Sequence, residues 1–265
     1  MRTRTLAILA LVLAPAVTHA QIAVLSSTVE ETSVAAGARY TGSIVIANPG
    51  DQAQTLRLYR TDYTFACDGT SRFDDAGTTA RSNASWIALQ SERVTVPAKS
   101  QITVPYSVVV PAGDSLKGTY WSTIMVEGAA TGAGAPDKNG KPAVGIGAIL
   151  RYAVQVATHI QSSGARTVRF DAPSASRSTT GAALFDVNVY DDGERGYRPS
   201  LWIEVYDAQG TLKAKAKQTR GLLYPGTSLH QQFDLGSLPA GKYKAVVFAD
   251  TGDEAVSAVQ YVINY

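Results

Sequence analysis

The sequence predicts an all-β protein of two tandem immunoglobulin-like β-sandwich domains, and three observations lead there. Short segments of alternating character, each bounded by turn residues, recur from Gln21 to the C-terminus, with no helical period in the first half. They fall into two sets on either side of Gln161-Ser162-Ser163-Gly164, a linker of four small or polar residues. The last segment of the first set, Val144 to Ile160, alternates for seventeen residues. At the rise of an extended chain it would span about 56 Å, longer than one sandwich covers.

The first twenty residues stand apart. Arg2 and Arg4 precede an apolar run from Leu6 to Val17, and Thr18-His19-Ala20 places small residues where a signal peptidase cuts. The run is too short to span a membrane and no later stretch reaches eighteen apolar residues, so a cleaved signal peptide (1–20) and no membrane insertion afterwards are expected. The domains then run 21–162 and 163–265. The whole chain carries 24 basic and 22 acidic side chains, and loss of Arg2 and Arg4 leaves the mature chain neutral. Net charge therefore gives no reason to expect nucleic acid or an anionic membrane as partner. Cys67 is the single cysteine, which rules out an intramolecular disulfide.

In the first set the expected strands are Ile22 to Val29, Tyr40 to Ala47, Ala53 to Tyr63, Trp86 to Val96 with a break near Glu92, Gln101 to Val110, Gly118 to Glu127, and the long one. Asn48-Pro49-Gly50-Asp51, Pro97-Ala98-Lys99-Ser100 and Pro111-Ala112-Gly113-Asp114 are turns. Ala66 to Ser85 is a polar crossing loop, and Ala129 to Ala143, rich in Gly and Pro, is a second loop. In the second set the strands are Arg166 to Phe170, Ala183 to Tyr190, Leu201 to Asp207, Leu212 to Lys217, Ser228 to Leu235, Lys242 to Ala249 and Ala255 to Tyr265. Two sandwiches joined so closely form an elbow with a cleft between them.

Ser85-Trp86-Ile87, Val94-Thr95-Val96-Pro97-Ala98-Lys99-Ser100, Val108-Val109-Val110-Pro111 and Gly118-Thr119-Tyr120-Trp121 resemble the first domain of periplasmic pilus chaperones. Ile44-Val45-Ile46-Ala47-Asn48-Pro49 fits the opening of that domain. The resemblance covers Ile22 to Ile160. It implies a periplasmic protein whose last first-domain strand fills the groove of an incomplete pilin-like subunit by strand addition, with an outer-membrane usher as a further partner. Val144, Ile146, Ala148, Leu150 and Tyr152 become the candidate client-strand residues. Closure of the protein's own core weighs more from Tyr152 onward than before it. The family also holds the subunit's terminal carboxylate with two basic residues in the interdomain cleft. Arg151 is the candidate for one, and Ile22 to Val29 has no Lys or Arg for the other.

Catalysis needs an activated nucleophile, paired carboxylates or a metal. The chain has no G-x-S-x-G, no H-E-x-x-H and no phosphate loop. After signal cleavage its histidines are His159 and His230, one in each domain with no carboxylate motif nearby. A non-enzyme without metal or cofactor follows. Asp191, Asp192 and Glu194 read as a solvated hairpin tip rather than a calcium loop, and Asn83-Ala84-Ser85 matches a glycosylation sequon. The expected function is an exported chaperone-like protein that binds a client subunit by β-strand addition in pilus or surface-structure assembly. The alternative is a surface or pilus-associated binding or structural module, at the cell surface or secreted.

Overall fold

The computed structural model describes residues 22–129, 149–253 and 256–265; the signal peptide expected over 1–20 lies outside them. The first module consists of β1 (Ala23–Val24), β2 (Val29–Val34), β3 (Arg39–Asn48), β4 (Gln54–Phe65), β5 (Ser71–Asp75), β6 (Ile87–Leu89), β7 (Arg93–Val96), β8 (Ser100–Val109), β9 (Gly118–Glu127) and β10 (Arg151–Ile160). One sheet has the order β1-β3-β8-β6 and the other β2-β10-β9-β4-β5, with β7 also pairing with β4. Alternate residues of the facing strands fill the space between the sheets: Ile44, Ile46, Leu58, Ile124, Val126 and Val154 are fully buried. Each such side chain contributes about 1.5–3 kcal/mol on leaving water.

Two segments depart from the sequence reading. Ile22 to Val29 is not one strand: β1 pairs antiparallel with β3, and the chain then crosses to the other sheet, where β2 pairs parallel with β10. Serine hydroxyls occupy the crossing. Ser26 Oγ accepts from the Val45 amide at 3.2 Å, and Ser27 Oγ donates to the Val29 carbonyl at 2.7 Å. These side-chain bonds take over backbone groups that a continuous ladder would have paired. The loop from Ala66 to Ser85 contains β5, which turns back on β4 through Gly69 at φ 84°, a left-handed conformation that glycine adopts without strain. Every residue of β5 is exposed, so it carries no buried alternation for a pattern to reveal.

Beyond β5 the chain is held by buried polar groups. The Asp62 carboxylate accepts from the Gly77 and Thr79 amides and from the Ser82 hydroxyl. Asn83 is fully buried, and its Nδ2 donates to the carbonyls of Tyr120 and Val156 and to Thr158 Oγ1, while its Oδ1 accepts from Ser122 Oγ. The sequon is thus an internal clip across β9 and β10, inaccessible to a glycan in the folded chain.

The second module holds β11 (Val168–Arg177), β12 (Ala183–Asp191), β13 (Ser200–Tyr206), β14 (Leu212–Thr219), β15 (Ser228–Asp234), β16 (Lys242–Asp250) and β17 (Ser257–Asn264). Its sheets are β11-β12-β15 and β14-β13-β16-β17, and no ladder among the described residues joins them to the first module. Side chains make the junction instead. Trp121 of β9 stacks on Tyr224 with centroids 4.6 Å apart and planes 9° from parallel, and Tyr224 Oη donates to Gln155 Oε1 at 2.7 Å. Ala157 and Leu222 complete this buried cluster. At the hinge the Thr119 amide donates to the Glu194 carbonyl at 2.9 Å. Gly118, at φ 76°, lies so close to Glu194 that a Cβ there would stand 1.9 Å from its carbonyl oxygen.

Asp191 ends β12 at this junction, and the hairpin tip read as solvated is in fact partly buried. Asp191 is fully buried; its Oδ1 accepts from the Gly193 amide at 2.9 Å, while Oδ2 has no hydrogen-bond partner in the structure. Arg81 from the first module, with Arg166 and Asp192 from the second, are the charged groups that act on it. Burial outweighs the two arginines and pushes its carboxyl up to about 7.

Two outcomes follow. Asn83→Ala removes four side-chain hydrogen bonds at a buried site and strands their partners, so urea unfolding should show a loss of about 3 kcal/mol. For Asp191 the folded state keeps its proton after the unfolded chain has lost it, so stability falls as pH rises from about 4 to about 7 and stays reduced above that. Asp191→Asn keeps the Gly193 contact and cannot ionise. The variant should be more stable than the parent by about 2 kcal/mol at pH 8, with the gap closing toward pH 4 in thermal melts.

Candidate functional site: the open rim of β10 and the interdomain cleft

The described part of the long strand is β10, and it begins at Arg151 rather than at Val144. Ile149 and Leu150 precede it without strand structure, and Val144, Ile146 and Ala148 lie outside the described residues. Along one side β10 pairs with β9 from Arg151↔Glu127 to Ile160↔Gly118. Along the other, β2 covers it only from Gln155 to Ile160. The sheet crossing at Ser26 and Ser27 is the cause, since β2 cannot start earlier. The Gln155 amide donates to the Thr28 carbonyl on the β2 side, and the Leu150 carbonyl accepts from Gly128 on the β9 side. Alternation then turns the amides and carbonyls of Arg151 and Ala153 toward the uncovered side. Among the described residues they have no ladder partner there. An unpaired rim of this kind is a template for a further strand.

The side chains of β10 divide as alternation requires. Val154, Val156 and Ile160 are buried in the first module's own core, and Leu150 and Tyr152 pack half-buried against it. Tyr152 Oη donates to the Ile22 carbonyl at 2.9 Å. The side chain of Tyr152 therefore closes its own sandwich. What this stretch leaves open is its backbone.

Arg151 is not in the cleft. It stands at the end of β10 remote from the hinge, about 30 Å along the strand from Ile160. There its Nε donates to Glu127 Oε2 at 2.6 Å, an oxygen that also accepts from Tyr59 Oη. The two bonds hold the Glu127 carboxyl below its ordinary range, the Arg151 bond most strongly.

The cleft between the modules has a volume of about 530 Å³ and is lined by Tyr63, Phe65, Cys67, Gln155, Arg198 and Arg220 among others. Arg198 binds Glu31 of β2 through Nε at 3.0 Å and also through Nη2. Arg220 has no ion pair among the described residues. Cys67 sits at the mouth, its amide bonded to Ser228 Oγ at 2.9 Å and its Sγ 3.4 Å from Tyr190 Oη, so the thiol bridges the two modules.

His159 and His230 each have a carboxylate neighbour that the sequence spacing conceals. His230 Nε2 lies 3.0 Å from Asp186 Oδ1, on the facing strand. His159 Nε2 lies 3.3 Å from Glu31 Oε2 and its Nδ1 2.7 Å from Thr119 Oγ1. The Glu31 carboxyl is held below its ordinary range, first by the His159 bond and then by Arg198. Thr119, His159 and Glu31 have the order of a hydrolytic triad, yet Thr119 is fully buried and its Oγ1 also accepts from the Gly196 amide at 2.8 Å. This chain of bonds ties β2, β9 and β10 to the second module. Among the described residues no group of three or more His, Cys, Asp or Glu could hold a metal ion, and no helix is long and apolar enough to cross a membrane.

No family model matches the chain, and no curated protein matches it in sequence. Among solved structures it is similar to a chain of the chaperone–tip adhesin complex of CFA/I fimbriae biogenesis, at 11% identity and TM-score 0.47, over 92% of this chain and 99% of that one. It is similar to the class 5 fimbriae chaperone CfaA at 12% identity and TM-score 0.45, over 92% and 100%. The Escherichia coli chaperone DraB matches at 12% identity and TM-score 0.40, over 92% and 98%.

Proposed function

We propose that this protein is an exported, chaperone-like binder that holds a protein client by adding the client's strand to the open rim of β10. The observation that carries the reading is that, among the described residues, no strand pairs with the β2 side of β10 from Arg151 to Val154, before β2 joins the sheet. Upstream, Val144, Ile146 and Ala148 continue the alternation of β10 in the sequence. They are the residues we assign to the client's apolar groove, with Leu150 at the border where the protein's own core takes over. Backbone pairing supplies the affinity in such a mode and the alternating side chains supply the selectivity.

A second contact belongs to the cleft. Under this reading the client's terminal carboxylate is held by Arg220, with Arg198 beside it, in place of Arg151. Arg220 brings a guanidinium with no ion pair among the described residues, and its planar fork matches a carboxylate. This reading puts the protein in the periplasm after loss of the signal peptide expected over 1–20, with an outer-membrane usher as the receiving partner. The role is non-enzymatic: the hydroxyl nearest a histidine, Thr119, is fully buried and already bonded.

The test starts from the client that tagged protein retains in its native host, identified and then added back as a purified complex. Ala153→Pro removes an amide on the open rim and leaves the β9 ladder intact, a position where a strand tolerates proline. The variant should melt within a few degrees of the parent and lose client binding about tenfold or more. Arg220→Gln should weaken binding about tenfold with no change in melting. A well-folded Ala153→Pro variant that holds its client as tightly as the parent would remove the rim as the site. If tagged protein retains no client at all, the second reading stands, a surface or pilus-associated binding or structural module without transient chaperone activity.

A further inference from the structure

The second module has five lysines, Lys213, Lys215, Lys217, Lys242 and Lys244, all on β14 and β16 of one sheet. Register sets four of them on the same outer face: Lys217 opposite Trp202, Lys215 opposite Glu204, and Lys242 and Lys244 on β16, with Lys244 opposite Tyr206. Lys213, at the irregular end of β14, pairs with Asp207 at 3.0 Å. Three carboxylates accompany these lysines: Glu204, taken up by Lys215 at 2.7 Å and Tyr206 Oη at 2.6 Å, Asp207, paired with Lys213, and Asp250, opposite Ser200 at the far end of β16 from Lys242 and Lys244. Lys217, Lys242 and Lys244 have no ion pair among the described residues.

The same face is apolar between its charges. Trp202 and Phe248 stack with centroids 4.9 Å apart, and Lys217 Nζ stands 5.8 Å from the Trp202 ring. Leu212 on one edge strand is 49% exposed, and Val262 on the other is 61% exposed. An open hollow of about 700 Å³ lies beside Lys242, Lys244, Val246 and Val262. A chain whose mature net charge is zero thus carries one local cationic and apolar surface.

We propose that this face docks on an anionic phospholipid surface, its lysines meeting the headgroup phosphates while Leu212 and Val262 enter the boundary of the acyl layer. Three features favour a lipid surface over an acidic polypeptide. The strands at its centre, β13 and β16, are paired on both sides, so the face offers no backbone groups to order an extended peptide. The exposed aliphatics stand on opposite edge strands, about 14 Å apart at the usual strand spacing, rather than clustered as a protein hot spot requires. Lysine stems and amphipathic aromatic rings suit an interface that is wet on one side and apolar on the other.

The experiment is sedimentation of the purified protein with vesicles of phosphatidylglycerol and phosphatidylcholine, against phosphatidylcholine alone, at low and high salt. Binding should need the anionic lipid and fall steeply with salt. The double variant Lys242→Gln, Lys244→Gln should bind more than tenfold less, since each lysine near such a surface is worth about fivefold. Leu212→Ser with Val262→Ser should also weaken binding but keep the salt dependence. Surface changes of this kind leave the melting temperature near the parent's, which serves as the folding control. No anionic-lipid dependence, or lysine variants that bind like the parent, would overturn the proposal. So would polyglutamate competing fully while the Leu212 and Val262 changes have no effect, which would mark an acidic macromolecule as the occupant. Client capture at β10 is measured separately and does not enter this result.

Discussion

The break between β1 and β2 governs much of the first module. Ser26 and Ser27 bond to backbone groups and end one pairing, so the chain passes from one sheet to the other before β2 begins. Had the strand run straight on, β10 would be covered along one side by β2 and along the other by β9. Because it does not, Arg151 and Ala153 turn outward amides and carbonyls that have no ladder partner among the described residues, at the end remote from the hinge. Two serine hydroxyls thereby decide where β10 lacks β2 beside it.

The opposite end of β10 is as closed as this end is open. Trp121 and Tyr224 stack, Gln155 bonds to Tyr224, and His159, Thr119 and Glu31 tie three strands to the second module. These buried polar and aromatic contacts tie the two sandwiches together at the hinge end of β10. The buried Asp191 is the exception in this seam. Its ionised form lacks a full set of partners, so the junction loosens as pH rises from about 4 to about 7.

Much of this was legible in the residues. Two-residue alternation with turn punctuation located most of the strands, including β9 at its exact bounds, because one face of each is buried and apolar. β5 was not legible, since Ser71–Asp75 buries nothing, and neither was the division of Ile22 to Val29, which depends on hydroxyl bonds rather than on hydrophobicity. Arg151 looked like a cleft residue because a strand's charge is visible but its position relative to the hinge is not. Arg198, Arg220 and Glu31 were missed for a related reason: they come from separate segments, and only the folded elbow brings them to one cleft. His159 and His230 gained carboxylates in the same way, across strands far apart in the chain. Net charge says nothing of local clustering: a formal charge of +2 over the whole chain gives no sign of five lysines gathered on one sheet.

Cys67 adds a practical consequence. It holds the single thiol of the chain in the seam where the two sandwiches meet, its backbone amide bonded to Ser228 Oγ and its Sγ facing Tyr190 Oη. A spectroscopic label attached there would report any hinge opening directly, in the native sequence and without an introduced cysteine. The molecule comes already equipped with its own gauge of bending.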